Sequence, residues 1–287
     1  MNGVKFIIDQ DFNYGIDVSE TDARLNTGSL ILLEPARDNP TGIPTQLTNY
    51  AASSALALTG LAVEAITIRN TLASIGGLVE RTAKGALHGI YPPSVASGTP
   101  RGVLSGVLPL EVLNYMKANP SHDYYLSLHA VVTKISTVTG SDGISIAGVN
   151  ATADPQDLTQ LTPIIYQNKS TGAVAGGRNA GADTLGRTST MNYNTPFHVD
   201  VAQASLTLNT STSTQSIREE IFTIGSPSAT SGKYAGCPSW ALYSLYLEDL
   251  TVSGQTYAQA SAKSQVIYNS RFGSGGIYSG DTWTIPS

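Results

Sequence analysis

Residues 123–135 read Asp123-Tyr124-Tyr125-Leu126-Ser127-Leu128-His129-Ala130-Val131-Val132-Thr133-Lys134-Ile135. Tyr125, Ser127, His129, Val131 and Thr133 alternate with Leu126, Leu128, Ala130, Val132 and Lys134, the period-two pattern of a β-strand. Both sets carry apolar or β-branched side chains, so the strand is expected inside a sheet rather than at its edge. Just before it, Leu110, Leu113 and Met116 recur at helical spacing, and Pro120 stops the run. This predicts a short helix near 109–118.

Working outward, further strands are expected at Lys5–Ile8, Ser29–Leu33, Pro163–Tyr166, Phe197–Val201, Ser205–Leu208, Arg218–Ile224 and Trp240–Leu247. Residues 34–50 carry three prolines and read as a loop. Residues 51–85 are mixed, because Leu61, Val63, Ile66 and Ile68 fit neither period. Loops rich in Gly, Ser and Asn at 171–186, 209–215 and 225–236 separate the later strands. Short strands with such punctuation predict a mainly β chain, a β-sandwich or jelly roll. Near the end, Thr256–Phe272 reads as an amphipathic helix with Tyr257, Ala260, Val266 and Ile267 among its apolar positions, stopped by Gly273. Trp283 follows and is expected to dock on the body, since exposing an indole is costly. No internal repeat or domain boundary stands out. The expectation is one sandwich domain over 1–287, with an N-terminal extension (about 1–50) available for assembly.

Composition narrows the function classes. The 287 residues are 41% hydrophobic and 13% charged. That charged share is about half the usual one; Ser, Thr, Gly, Asn and Ala take the place of charge, which suits a surface covered by partners. A net charge of −5, with 16 scattered basic residues, argues against nucleic acid. No run of about 18 apolar residues is present, so no membrane insertion is expected. The N-terminus lacks the charged-then-apolar pattern of a secretory signal. A single cysteine, Cys237, excludes an internal disulfide and a cysteine-built zinc site; it reads as a small buried hydrophobe. The sequons at Asn150, Asn168 and Asn209 read as chance matches in a Ser/Thr-rich chain.

Several constellations could carry chemistry. Asp9, Asp11, Asn13, Asp17 and Glu20 place oxygens at positions 1, 3, 5, 9 and 12 of a calcium loop, but Tyr14 occupies position 6, where glycine is required. The competing reading is a solvated polar turn. His198-Val199-Asp200 and Ser127-Leu128-His129 each put two polar side chains on one strand face, a seed for a nucleophile and base. No Gly-x-Ser-x-Gly elbow accompanies them, and strand-face polarity is the simpler reading. A retaining glycosidase needs two facing carboxylates, but the members of Glu219-Glu220 and of Glu248-Asp249 are adjacent and point to opposite faces. Tyr91, Tyr193, Tyr234 and Tyr278 are candidates for stacking on sugar, with Tyr193 and Tyr234 singled out as sugar-binding candidates. Packing or an oligomer interface is the alternative.

Three stretches together resemble the concanavalin A-like lectin/glucanase (laminin G-like) sandwich domains of tailed-bacteriophage structural and tail proteins. They are Asn119–Leu128; Ser244-Leu245-Tyr246-Leu247-Glu248-Asp249-Leu250-Thr251-Val252-Ser253-Gly254, like a last sandwich strand entering a helix; and the closing Arg271-Phe272 through Asp281-Thr282-Trp283. The resemblance covers roughly residues 100–283. It implies a structural virion protein of the tail tip, baseplate or fibre, made in the bacterial cytoplasm and localised to the virion. It implies self-association as a homo-oligomer, often a trimer, and contacts with other phage tail proteins. A role in host attachment through cell-surface glycan is the first alternative, and a glycan depolymerase the second. The catalytic pattern of the glucanase branch is missing, so a non-enzymatic role is expected.

Overall fold

The computed structural model describes residues 22–38, 42–93, 102–135, 143–149, 164–168, 174–176, 184–186, 188–189, 194–203, 206, 220–225 and 237–286. Its strands are β1 (Ser29–Leu33), β2 (Gln46–Thr48), β3 (Ala65–Asn70), β4 (Leu78–Arg81), β5 (Leu87–Ile90), β6 (Val103–Val107), β7 (Tyr124–Lys134) and β8 (Gly143–Gly148). They continue with β9 (Ile164–Asn168), β10 (Val174–Gly176), β11 (Thr184–Gly186), β12 (Thr188–Ser189), β13 (Phe197–Gln203), β14 (Glu220–Gly225) and β15 (Ser239–Asp249). The helices are α1 (Ala52–Thr59), α2 (Leu110–Ala118), α3 (Leu250–Ser253) and α4 (Tyr257–Phe272), with a 3-10 turn at Leu72–Ile75.

The fold is mainly β, a sandwich of two antiparallel sheets. Among the described residues, sheet A runs β11–β13–β7–β15–β5–β4, with β1 on the other half of β15's free edge. Sheet B runs β12–β10–β9–β8–β14–β6–β3–β2. The expected central strand is β7, flanked by β13 and β15 along most of its length. Leu126, Leu128, Ala130 and Val132 of β7 face the inter-sheet core, as do Phe197, Val199 and Val201 of β13. From sheet B come Ile66, Ile68, Leu104, Phe222 and Ile224. Trp240 of β15 bridges the sheets: its Nε1 donates to Thr223 O at 3.1 Å, and its ring meets Phe222 edge-on.

β15 contains a bulge between Leu242 and Ser244. Trp240 and Leu242 face the core before it, and Leu245 and Leu247 after it. The extra residue restores the inward register of the apolar positions. It also leaves Tyr243 and Ser244, though consecutive, both buried away from that core cluster.

The expected helices near 109–118 and 256–272 both form. In α2 the buried residues are Val112, Leu113 and Met116, while Leu110 at its first position is 55% exposed. The mixed stretch 51–85 resolves into α1, β3, the 3-10 turn and β4, and the loop expected at 34–50 contains the three-residue β2. Leu206 is not in a strand; the rest of Ser205–Leu208, and the strand expected at Lys5–Ile8, lie outside the described residues.

Candidate functional site

The outer face of sheet A is covered by α4. The helix begins with a capping box, in which Thr256 Oγ1 accepts from Gln259 N and Gln259 Oε1 accepts from Thr256 N. The apolar face expected from Val266 is corrected: Val266 is 66% exposed, and the buried positions are Ala260, Ser261 and Ser264. These small side chains let the helix backbone approach the sheet closely enough for short polar side chains to meet.

What they meet is the polar face of β7 and β13. Ser264 Oγ lies 2.7 Å from Ser127 Oγ and 3.0 Å from His129 Nε2. Gln265 Oε1 lies 3.1 Å from His198 Nδ1. Asp200 accepts from Tyr125 OH at 3.0 Å and from Tyr257 OH at 2.8 Å. His198 Nε2 lies 3.3 Å from Asp200 Oδ2. The imidazoles of His129 and His198 stand edge to face, with centroids 5.1 Å apart, and Tyr268 packs on both. The structure thus joins the two dyads read from sequence, Ser127/His129 and His198/Asp200, into one buried cluster.

Burial shifts these groups unequally. Burial first, then His198, Arg24 and Arg271, push the His129 imidazole well below its usual value. Burial alone would raise the Asp200 carboxyl, but His198, Ser261 and Tyr257 outweigh it and hold it at about 2.

Beside the cluster lies an ion network that the sequence reading did not single out. Arg24 Nη2 donates to Asp22 Oδ2 and to Glu34 Oε1, both at 2.8 Å, with all three side chains essentially solvent-free. Arg37 Nη1 donates to Glu34 Oε2 at 2.9 Å. From α4, Arg271 reaches both acids, Asp22 Oδ2 at 3.1 Å and Glu34 Oε1. Arg24 also stacks on Tyr246, whose hydroxyl donates to Arg24 O at 2.8 Å. A fully buried arginine needs such partners to be tolerated. One sequence signal was available: Ala260, Ser261 and Ser264 form a small, polar stripe on a helix, which marks close approach to a partner.

Ser264 and His129 resemble a nucleophile–base pair, but the constellation is not arranged for attack. His129 Nδ1 has no hydrogen-bond partner, and Asp200 contacts His198 rather than His129. Ser127, His129, Asp200 and Ser264 are all fully buried, so a substrate carbonyl has no path to Ser264. The arrangement fastens a helix to a sheet.

Other sequence candidates fall elsewhere. Tyr91 and Tyr278 are buried and offer no face to a sugar. Tyr193 and Tyr234, and the calcium candidates Asp9, Asp11, Asn13, Asp17 and Glu20, lie outside the described residues. Among the described residues, no group of three or more His, Cys, Asp or Glu is placed to hold a metal, and no helix is long and apolar enough to cross a membrane. Cys237 is buried. Glu248 accepts from Asn26 and Gln255, whereas Asp249 meets Tyr115 and His122; the adjacent acids serve different neighbourhoods, as strand alternation requires. A groove of ≈ 640 Å³ between α1 and α2 is lined by Leu58, Leu61, Leu110, Glu111, Asn114 and Tyr115, among others.

No family model matches the chain. No curated protein matches it either. Among solved structures, it is similar to the Trypanosoma rangeli sialidase in complex with 2,3-difluoro-KDN, at 11% identity and a TM-score of 0.39. The alignment covers 80% of this chain and 33% of the sialidase chain, so the chain spans about a third of that enzyme's length. A likeness at that level carries no activity across.

Proposed function

We propose that this chain is a structural subunit of a tailed-bacteriophage particle, placed at the tail tip, baseplate or fibre, in which a lectin-like sandwich serves as a non-catalytic module. The observation that carries the reading is the junction at residues 244–257, the stretch on which the resemblance to phage sandwich domains rests. There β15 passes into α3 with Asp249 as its cap, turns at Gly254 (φ 68°), and enters α4 through the Thr256 capping box. The low charge content and the exposed Leu61 and Leu110 at the α1–α2 groove support a surface that other subunits cover. The carboxylates Asp22, Glu34, Asp200, Glu248 and Asp249 are each engaged in holding the fold, which favours assembly over glycan cleavage.

The test combines two measurements. Mass spectrometry of purified particles from a host carrying the gene is expected to find the chain at fixed stoichiometry with tail proteins. Light scattering of the purified chain is expected to report a homo-oligomer, a trimer being the anticipated form. A stable monomer absent from particles would overturn the proposal.

A further inference from the structure

Helix α4 is fastened unlike the rest of the fold. Its fully buried residues are the small Ala260, Ser261 and Ser264, with Tyr257, Tyr268 and Phe272 packed half-buried beside them. Hydrogen bonds and ion pairs add to that packing, and several of them end on groups that titrate. At the centre is His129, fully buried, with Nε2 on Ser264 of the helix and Nδ1 without a partner. We infer that α4 is an acid-sensitive latch, released when the buried imidazole of His129 takes up a proton and uncovering the polar face of sheet A.

The charges around His129 decide the direction. On β13, His198 lies edge to face with it, and Asp200 stands beside His198. On α4, Arg271, Tyr257 and Tyr268 line the same layer. The segment entering β1 supplies Asp22 and Arg24, and Glu34 follows that strand. Tyr125 of β7 and Tyr246 and Glu248 of β15 complete the face. The carboxylates are taken by arginines, tyrosines and amides, and Asp200 stands against His198, not against His129. A proton on His129 therefore meets His198, Arg24 and Arg271 with no acid of its own.

The sign follows. Docked, His129 is held neutral well below its usual range; undocked, it regains a pKa near 6.5. Docking is fully favoured above that value and weakens as pH falls below it, about tenfold in the docking equilibrium per pH unit. Asp22 and Asp200 are held low and stay ionised in this window, the arginines keep their charge throughout, and the response is that of His129.

Hydrogen exchange of the full chain at pH 7.5 and pH 5.0, corrected for intrinsic rates, tests this. Peptides from 257–272 should open about thirtyfold more readily at pH 5.0, while β7 and β15 stay protected. Equal protection of α4 at both pH values would overturn the inference. His129→Phe keeps a ring against Tyr268 and Phe272 and leaves the Ser127–Ser264 bond in place. It should keep α4 protected at pH 5.0; a pH dependence persisting in this variant also overturns the latch. If that variant does not fold, NMR of carbon-13-labelled imidazoles in the wild type decides. His129 staying neutral until α4 loses protection supports the latch, whereas ordinary titration under a protected α4 refutes it.

Discussion

Replacing Glu34 by glutamine tests whether the buried ion network holds the fold. Glu34 is solvent-free and accepts from Arg24 at 2.8 Å, from Arg37 at 2.9 Å and from Arg271. The substitution keeps shape but leaves three guanidinium groups around the single carboxylate of Asp22. The new amide can accept on one side only and turns a donor toward another donor. Breaking one partner of a buried ion pair costs about 3–5 kcal/mol. Arg37, whose side chain is 15% exposed, can swing toward water, but Arg24, at 2%, cannot, which favours the lower half of that range. A loss of about 3 kcal/mol corresponds to a fall in Tm of about 5 °C for a chain of this size. Urea unfolding followed by circular dichroism and tryptophan fluorescence reads it directly. Arg37→Ala, which leaves Glu34 paired with Arg24 and Arg271, should cost less, about 1–2 kcal/mol. A Glu34→Gln loss below about 1 kcal/mol, or equal losses for the two variants, would refute the picture of an obligatory buried network.

Three further outcomes follow from the geometry. Gly28→Ala would place a Cβ 2.2 Å from Asp249 O, against backbone that also hydrogen-bonds to Gly28; calorimetry should show a loss of more than about 2 kcal/mol, and a neutral result would mean that this junction is loose. Trp240→Ala removes the indole that bridges the sheets and should cost about 3–5 kcal/mol in chemical denaturation, with Trp240→Phe recovering much of it; no difference between the two would be evidence against the indole's contribution. Asp200 has a folded pKa depressed to about 2, so it contributes stability above an unfolded value near 3.9 that is lost as pH falls toward 2. That contribution is about 2 kcal/mol; Asp200→Asn should flatten this part of the acid-unfolding curve, and an unchanged curve would show that Asp200 does not titrate in the fold.

Where periodicity and punctuation coincide, the sequence was legible. The strand read at 123–135 is β7 over Tyr124–Lys134, and the closing helix starts at its capping Thr256. Trp283 docks as expected, packing beside Phe272 and Tyr278, with Nε1 donating to Asn194 at 3.3 Å. Between 51 and 85 a short helix and short strands follow one another too quickly for any window to show a period. The polar face of β7 was harder for a different reason. Ser127 and His129 alternate with core residues, which reads as a solvent face, yet the chain returns 135 residues later with Ser264 to cover it. Local pattern cannot report a contact of that span. The ion network was hidden likewise, because Arg24, Glu34 and Arg271 come together only across the finished fold.

The position of β15 has a consequence for how the molecule is made. This strand lies between β7 on one edge and β1 with β5 on the other, yet every other described strand precedes it in the chain. On a ribosome that emits the N-terminal part first, β7 can pair with β13 and β5 with β4 early, while β1 and the other edge of β5 must wait for their common neighbour. The apolar inner faces of sheet A therefore remain open until residues 239–249 emerge, and the polar outer face until α4 follows. Completion of the sandwich is in this sense a late, nearly single event, and the interval before it is when the nascent chain is most exposed to wrong partners.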